Sequence, residues 1–91
     1  MKDVGSTNMR IRSFVLQKFP AARKRVFNDD VQLLESGIID SLGVLDVVGF
    51  LEQTFNIRVD DDDLTPENFG NVKCIGSFVE KKSGQSKVNA G

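Results

Sequence analysis

Five apolar residues follow Asp40 at the spacing of one helical face, and this stripe constrains the fold more than any other part of the chain. The stripe has the spacing i, i+3, i+4, i+7 and i+11, and its residues are Val44, Val47, Val48, Leu51 and Phe55. We therefore predict a helix from Ser41 to about Phe55 with this face buried. Asp40 is a good N-cap residue for it, because a carboxylate accepts hydrogen bonds from the free backbone N–H groups of a helix start.

Two further stretches have helical spacing. The first is predicted from Ser6 or Thr7, either of which can serve as the cap, to about Lys18, with Pro20 just beyond its end. The last is predicted from Asn71, as the cap, to about Lys82. Their expected buried residues are Ile11, Phe14, Val15 and Phe19 in the first helix and Val72, Ile75, Phe78 and Val79 in the last.

Residues 20–40 form a connection long enough to need contacts of its own with the core. Asp29 or Asp30 is placed to cap a single helical turn through Leu34, and Gly37 permits a sharp reversal after it. The apolar residues expected to hold this connection against the core are Phe27, Val31, Leu33, Leu34, Ile38 and Ile39.

A short helix is predicted after the acidic run, with Thr65 as its cap, Pro66 in its first position, Phe69 facing inward and Gly70 at its end. The fold class is therefore all-α: a four-helix bundle of three main helices and one short one, with a long first loop. Within the 91 residues we expect a flexible N-terminus at 1–5, one folded domain at 6–82 and a disordered tail at 83–91.

Charge is distributed unevenly along the chain. Residues 1–27 carry seven basic side chains and one acidic one, whereas residues 28–69 carry eleven acidic side chains and one basic one. The acidic middle is expected to attract basic partner surfaces and to repel nucleic acid. The basic cluster Arg23-Lys24-Arg25 is open to interpretation as a nucleic-acid patch, but no aromatic residues interleave with it, so a solvated face is favoured.

The chain has no histidine and a single cysteine, Cys74. Because the commonest general base is missing, and the lone cysteine has no histidine to activate it, we expect no enzyme activity. A small enzyme that uses carboxylates is a less favoured alternative, since no carboxylate pair is placed for acid–base work. The run Asp60-Asp61-Asp62-Asp63 suggests calcium, but the Gly and Glu of an EF-hand loop are absent, so no metal site is predicted.

A lone cysteine cannot form an internal disulfide, which fits a reducing, cytoplasmic setting. No apolar run approaches the length of a membrane span, and the N-terminal residues contain no apolar signal region. We therefore expect a cytoplasmic monomer.

Ser41 falls in the first turn of the predicted helix that follows Asp40. The start of a helix favours negative charge, because its backbone N–H groups and its dipole both attract an anion. A serine at this place can carry a phosphoryl modification without distorting the fold.

The run from Leu34 to Gly43, Leu-Glu-Ser-Gly-Ile-Ile-Asp-Ser-Leu-Gly, resembles the attachment motif of acyl carrier and peptidyl carrier proteins. The resemblance extends from about Leu33 to Val79 and includes Asp-Leu-Thr-Pro-Glu-Asn-Phe at residues 63–69. It implies that the serine of Asp40-Ser41-Leu42 receives a 4′-phosphopantetheine arm from coenzyme A, through a phosphopantetheinyl transferase. The thiol of the arm would then hold an acyl or aminoacyl group for partner enzymes, namely an activating ligase and acyl-transferring enzymes.

Leu42 and Leu45 project to one side of the buried stripe, beside Asp46 and in line with Gly49 and Glu52. Exposed apolar residues ringed by acids are typical of a docking surface, so we predict that these five residues bind the partner enzymes. The alternative is that the two leucines only border the core.

Gly43 and Gly49 depart from the commonest pattern of the carrier family, in which polar or larger residues are frequent at these places. Each glycine costs a helix about 1 kcal/mol relative to alanine. They would admit close approach of a partner or of the arm; the alternative is neutral drift.

The sequence does not decide which group the arm would carry. The Gly-Ile-Ile-Asp-Ser-Leu-Gly run also resembles carriers that accept amino acids, including the D-alanyl type. The start Met and the polar tail favour a stand-alone carrier over a piece of a synthetase. A helical interaction module that keeps this fold but is never modified is the remaining alternative.

Overall fold

The computed structural model describes residues 4–24 and 27–90, with side chains for residues 7–24 and 27–83. Its α-helices are α1 Val4–Lys18, α2 Pro20–Arg23, α3 Ser41–Phe55, α4 Pro66–Phe69 and α5 Val72–Ala90. A short 3₁₀ helix, Asp61–Asp63, lies between α3 and α4. The predicted all-α fold of three main helices and a short one after the acidic run is confirmed, and α2 is an additional short helix that was not predicted.

The core lies between α1, α3 and α5, and the predicted stripes supply it. Its most deeply buried residues from these helices are Ile11, Val15, Val47, Leu51, Val72, Ile75, Phe78 and Val79. Burying an aliphatic or aromatic side chain of this size contributes about 1.5–3 kcal/mol, so these faces dominate the stability of the bundle. The outer members of the stripes, such as Phe14, Val44 and Phe55, are only partly buried.

The first helix begins earlier than predicted. Neither Ser6 nor Thr7 is its cap, because α1 starts at Val4. The hydroxyl of Thr7 donates instead to Glu80 Oε2 of α5, at 2.9 Å, and Thr7 is buried. A side chain that bonds across a helix interface is not available to close its own helix start, so the predicted cap was wrong.

Pro20 acts as predicted at the end of α1 and also begins α2. Phe19 breaks the helix with an extended backbone, at φ −120° and ψ 99°, and Pro20 then occupies the first position of α2. Proline suits that position because its missing N–H would have no helical acceptor there. The chain therefore turns sharply around Phe19.

The long connection is held to the rest of the fold by backbone hydrogen bonds. The N–H of Leu33 donates to the carbonyl of Gly70 at 2.8 Å, and the N–H of Lys73 donates to the carbonyl of Asp29 at 3.1 Å. A turn of the helical type does include Leu34, since the N–H of Ser36 donates to the carbonyl of Gln32 at 3.0 Å. This turn begins at Gln32, so the predicted cap at Asp29 or Asp30 was wrong. Gly37 has the predicted positive φ, at 82°.

Most of the predicted apolar contacts of the connection are present. Leu33, Ile38 and Ile39 are buried, and Phe27 and Val31 pack partly against the core. Leu34 is the exception, with 45% of its surface exposed. Its side chain faces a surface cavity instead of the core.

The last helix is capped as predicted but is longer. Asn71 Oδ1 accepts the N–H of Cys74 at 2.7 Å, as expected of an N-cap. The helix continues to Ala90, beyond the predicted end at Lys82, because no proline follows within it and an isolated glycine such as Gly84 does not end a helix. Residues 83–90 are therefore helical, and the domain limits 6–82 stay a prediction.

Candidate functional site

Asp40 caps α3 as predicted. Its backbone is extended, at φ −97° and ψ −176°, and its Oδ1 accepts the N–H of Gly43 at 2.7 Å. The carbonyl of Asp40 accepts the N–H of Val44, which is the first hydrogen bond of the helical ladder. The start of α3 is therefore fixed by both the side chain and the backbone of one residue.

Ser41 is the first residue of α3 and is exposed. Leu42, beside it, has 74% of its surface exposed. A helix of fifteen residues presents a partial positive charge at this end, so a phosphate ester on the Ser41 hydroxyl would be stabilised there. The position is open enough for a bulky group without any rearrangement of the core.

A surface cavity of about 220 Å³ opens next to Ser41. Its walls are mostly apolar, and its lining residues are Leu34, Ser41, Val44, Leu64, Thr65, Pro66 and Phe69. Leu34 and Leu64 were not predicted to be parts of this site. The signal available was weak, because each is a single leucine in an irregular segment and neither belongs to a helical stripe.

One wall of the cavity is formed by the segment after the acidic run. Asp60 and Asp63 form a capping box. The carboxylate of Asp63 accepts the N–H of Asp60 at 2.9 Å, and the carboxylate of Asp60 accepts the N–H of Asp63. Lys82 Nζ lies 3.0 Å from Asp63 Oδ2. The hydrogen bond from Asp60, together with Lys82, lowers the pKa of Asp63 below its usual range. These contacts hold the turn that leads into Leu64 and α4.

A sequence model of the phosphopantetheine attachment site family matches residues 10–79 of the chain. The chain belongs to this family of carriers. It is 32% identical over 75 residues to the acyl carrier protein of Thermotoga maritima, covering 82% of this chain and 89% of that protein. It is also 32% identical over 79 residues to the D-alanyl carrier protein of Streptococcus pyogenes serotype M5, covering 80% of this chain and 95% of that protein.

The group that this family carries is 4′-phosphopantetheine, bound covalently. The geometry at the start of α3 fits such a group: an exposed serine hydroxyl, a helix N-terminus for the phosphate and an apolar cavity beside them. The predicted family and its cofactor are thus confirmed.

The two glycines of α3 have different surroundings in this carrier. Gly43 is buried, and Ile39 and the ring of Phe19 lie where a side chain would be. The prediction that Gly43 admits close approach of a partner or of the arm is therefore wrong. Gly49 is partly exposed, and no atom lies within 4 Å of the position of a Cβ. Only Gly49 is free to contribute to a docking surface.

The other predicted docking residues of the carrier lie along α3. Leu45 has 58% of its surface exposed, and Asp46 is exposed next to it. Glu52 is half-buried, and its Oε2 accepts the N–H of Val59 at 3.0 Å. This bond ties the chain after α3 to the helix, so Glu52 has a structural role whether or not it also contacts partners.

Part of the basic cluster serves the fold. Arg23 donates to the carbonyl of Leu16 at 2.9 Å, and Arg25 lies outside the described residues.

In the described part of the chain, no three His, Cys, Asp or Glu side chains are grouped so as to hold a metal ion. None of the described helices is both long and apolar enough to cross a membrane.

Proposed function

We propose that Ser41 is the residue that carries the 4′-phosphopantetheine arm of this carrier. The observation that supports this assignment is the position of its hydroxyl, exposed at the first residue of a fifteen-residue helix whose cap is Asp40. The cap holds the helix start in place while it leaves the serine side chain open to solvent. The other described serines that are mainly exposed, such as Ser77 of α5, lie within helices and away from such an end.

The modification is a phosphoryl transfer that a separate transferase catalyses. The Ser41 oxygen forms a bond to the phosphorus of the phosphopantetheine half of coenzyme A, and the pyrophosphate bond breaks to release adenosine 3′,5′-bisphosphate. The proton of the hydroxyl passes to a base on the transferase, since this chain has no histidine, the commonest general base. When bound, the arm supplies the thiol that holds the cargo as a thioester.

The residues around Ser41 bind and orient; they perform no chemistry. The N-terminus of α3 stabilises the charge of a phosphodiester. The apolar side chains of Leu34, Val44 and Leu64 line the cavity beside Ser41 and offer a surface for the first part of an arm. The carrier is in this sense a tethered substrate of other enzymes.

Partner enzymes are proposed to dock on the exposed side of α3. Leu42 and Leu45 supply the apolar contact, and Asp46 lies beside them for basic partner groups. Gly49 and Glu52 extend this surface along the helix. Contacts of this kind are steered by charge and weaken as the salt concentration rises.

The carrier is proposed to act in the cytoplasm, because the free thiol of Cys74 fits a reducing setting.

The cargo is proposed to be an acyl or an aminoacyl group. The two types of relative, an acyl carrier and a D-alanyl carrier, have the same identity to this chain, so neither cargo is favoured by the comparison. A loading assay with a fatty-acyl ligase and a D-alanyl ligase on the modified chain would separate these classes. Thioester formation with only one of them assigns the cargo class.

The attachment site is tested by co-expressing the chain with a phosphopantetheinyl transferase of broad specificity and measuring its intact mass. We expect the mass of one arm on the wild-type chain and on Ser77→Ala, and no gain on Ser41→Ala. A gain that persists in Ser41→Ala would assign the arm to another residue. A wild-type chain that takes no arm would favour the unmodified interaction module.

A further inference from the structure

Gly43 lies in the first turn of α3, two residues after Ser41, and three side chains enclose its α-carbon. A methyl group on Gly43 would lie 2.8 Å from Ile39 Cγ2, 2.9 Å from Phe19 Cε1 and 3.3 Å from Asp40 Oδ1. The first two distances are shorter than side-chain carbons tolerate. Glycine is therefore the residue that allows these groups to reach the helix start.

The two apolar contacts come from separate parts of the chain. Ile39 is buried, and its N–H donates to the carbonyl of Leu33 at 3.1 Å, so its backbone is fixed by the connection before α3. Phe19 lies between α1 and α2, and its ring packs edge-on against Phe14 with 6.2 Å between the ring centroids. Ile39 Cγ2 is bonded to the branched Cβ of a buried side chain, and Phe19 Cε1 belongs to a rigid ring that packs against Phe14, so neither atom can move aside easily.

The same glycine also secures the residue that precedes Ser41. Its N–H donates to Asp40 Oδ1 at 2.7 Å, which is the hydrogen bond that caps α3. Ser41 thus has Asp40 on one side in the sequence and Leu42 and Gly43 on the other. Contacts at Gly43 hold both flanks of the serine in one arrangement.

We propose that Gly43 is a positioning residue for the modification of Ser41, with Phe19 and Ile39 as the groups that it packs against. This inference rests on the proposed attachment at Ser41. A Cβ at this position would displace Ile39, the ring of Phe19 or the capping carboxylate, and each shift would turn the Ser41 hydroxyl. Rates of group transfer are sensitive to such shifts, since the reacting atoms must be held close and aligned.

The test is the steady-state rate at which a phosphopantetheinyl transferase moves the arm from coenzyme A to the purified, unmodified chain. Gly43→Ala is expected to lower kcat about tenfold. KM for the carrier should stay within about twofold, because Leu42 and Leu45 on the outer side of α3 are unchanged. A second variant, Phe19→Leu, withdraws the ring edge without adding an atom to α3 and should lower kcat severalfold, also at constant KM.

The matched control is Ile75→Val, which loosens the buried core on α5, a different helix from the one that carries Ser41 and Gly43. Its kcat should equal that of the wild-type chain. Wild-type kcat in both Gly43→Ala and Phe19→Leu would overturn the inference, and so would an equal loss in Ile75→Val. A wild-type chain that accepts no arm would instead refute the attachment at Ser41, so the two failures are distinguishable.

Discussion

Lys82 Nζ of α5 lies 3.0 Å from Asp63 Oδ2, and this ion pair joins the last helix to the acidic turn. The same ammonium group lies 3.8 Å from Asp60 Oδ2. Asp63 is also joined to α4, because its carbonyl accepts a hydrogen bond from Asn68 Nδ2 at 2.8 Å. The pair therefore holds the segment from Leu64 to Phe69 that lines the cavity beside Ser41.

Replacing Lys82 with glutamine should lower the free energy of unfolding by about 1 kcal/mol, because the pair is only partly exposed and closes a network of several contacts. Urea denaturation at low and high salt measures the effect, which should shrink as salt screens the charges. Lys81→Gln, at the exposed neighbouring position, is the control and should be nearly neutral. Equal losses in the two variants would contradict a specific role for Lys82.

The lowered pKa of Asp63 predicts a dependence of stability on pH. Since the folded chain binds the proton of this group more weakly than the unfolded chain, the contribution is complete above about pH 4. It is lost as pH falls through the lower pKa of the folded state. Asp63→Asn should therefore be less stable than wild type at neutral pH and should lose less stability on acidification below about pH 4.

Asp62→Asn, at the exposed position next to it, is the control for this experiment and should keep the wild-type pH profile. Thermal unfolding measured from pH 7 to below pH 4 gives both profiles. Parallel curves for Asp63→Asn and wild type would show that Asp63 does not carry the effect.

The two glycines of α3 should respond to alanine in opposite directions. Gly49→Ala adds a methyl group where no atom lies within 4 Å, so it should raise the free energy of unfolding by up to about 1 kcal/mol. Gly43→Ala makes the same chemical change against Ile39 and Phe19 and should lower it by about 1–3 kcal/mol. Melting temperatures test both, and stabilisation by Gly43→Ala would show that the close packing is not what keeps this residue small.

Leu45→Ala should weaken docking without loosening the fold. With 58% of its surface exposed, Leu45 contributes little to the core, so the melting temperature should change only slightly. KM of the carrier for the phosphopantetheinyl transferase should rise severalfold at constant kcat, since a contact outside the reacting atoms is removed. Gln53→Ala, exposed on the same helix, serves as the control, and equal KM values for both variants would count against the docking surface.

The sequence was sufficient to predict the main helices and two of their caps. Residues such as Val47 and Leu51, or Ile75 and Phe78, repeat with the period of a helix because one face must be buried, and that period is visible without a structure. Asp40 was predictable as a cap because its bond to the N–H of Gly43 is local in sequence.

Contacts between distant residues could not be predicted. The pair of Lys82 and Asp63 joins two segments whose separation in the sequence says nothing about their distance in space. Thr7 resembled a cap, yet its hydroxyl bonds to Glu80 on another helix. The packing around Gly43 was missed for the same reason, since it depends on where Phe19 arrives after α1.

Attachment of the arm at Ser41 is the central claim, and fragmentation mass spectrometry of the modified chain locates the arm directly. The chain is incubated with coenzyme A and a phosphopantetheinyl transferase, digested, and its peptides are sequenced in the spectrometer. We predict a single arm, on the peptide that contains Asp40, Ser41 and Leu42, with the fragment ions placing it on Ser41. An arm on any other residue would contradict the account.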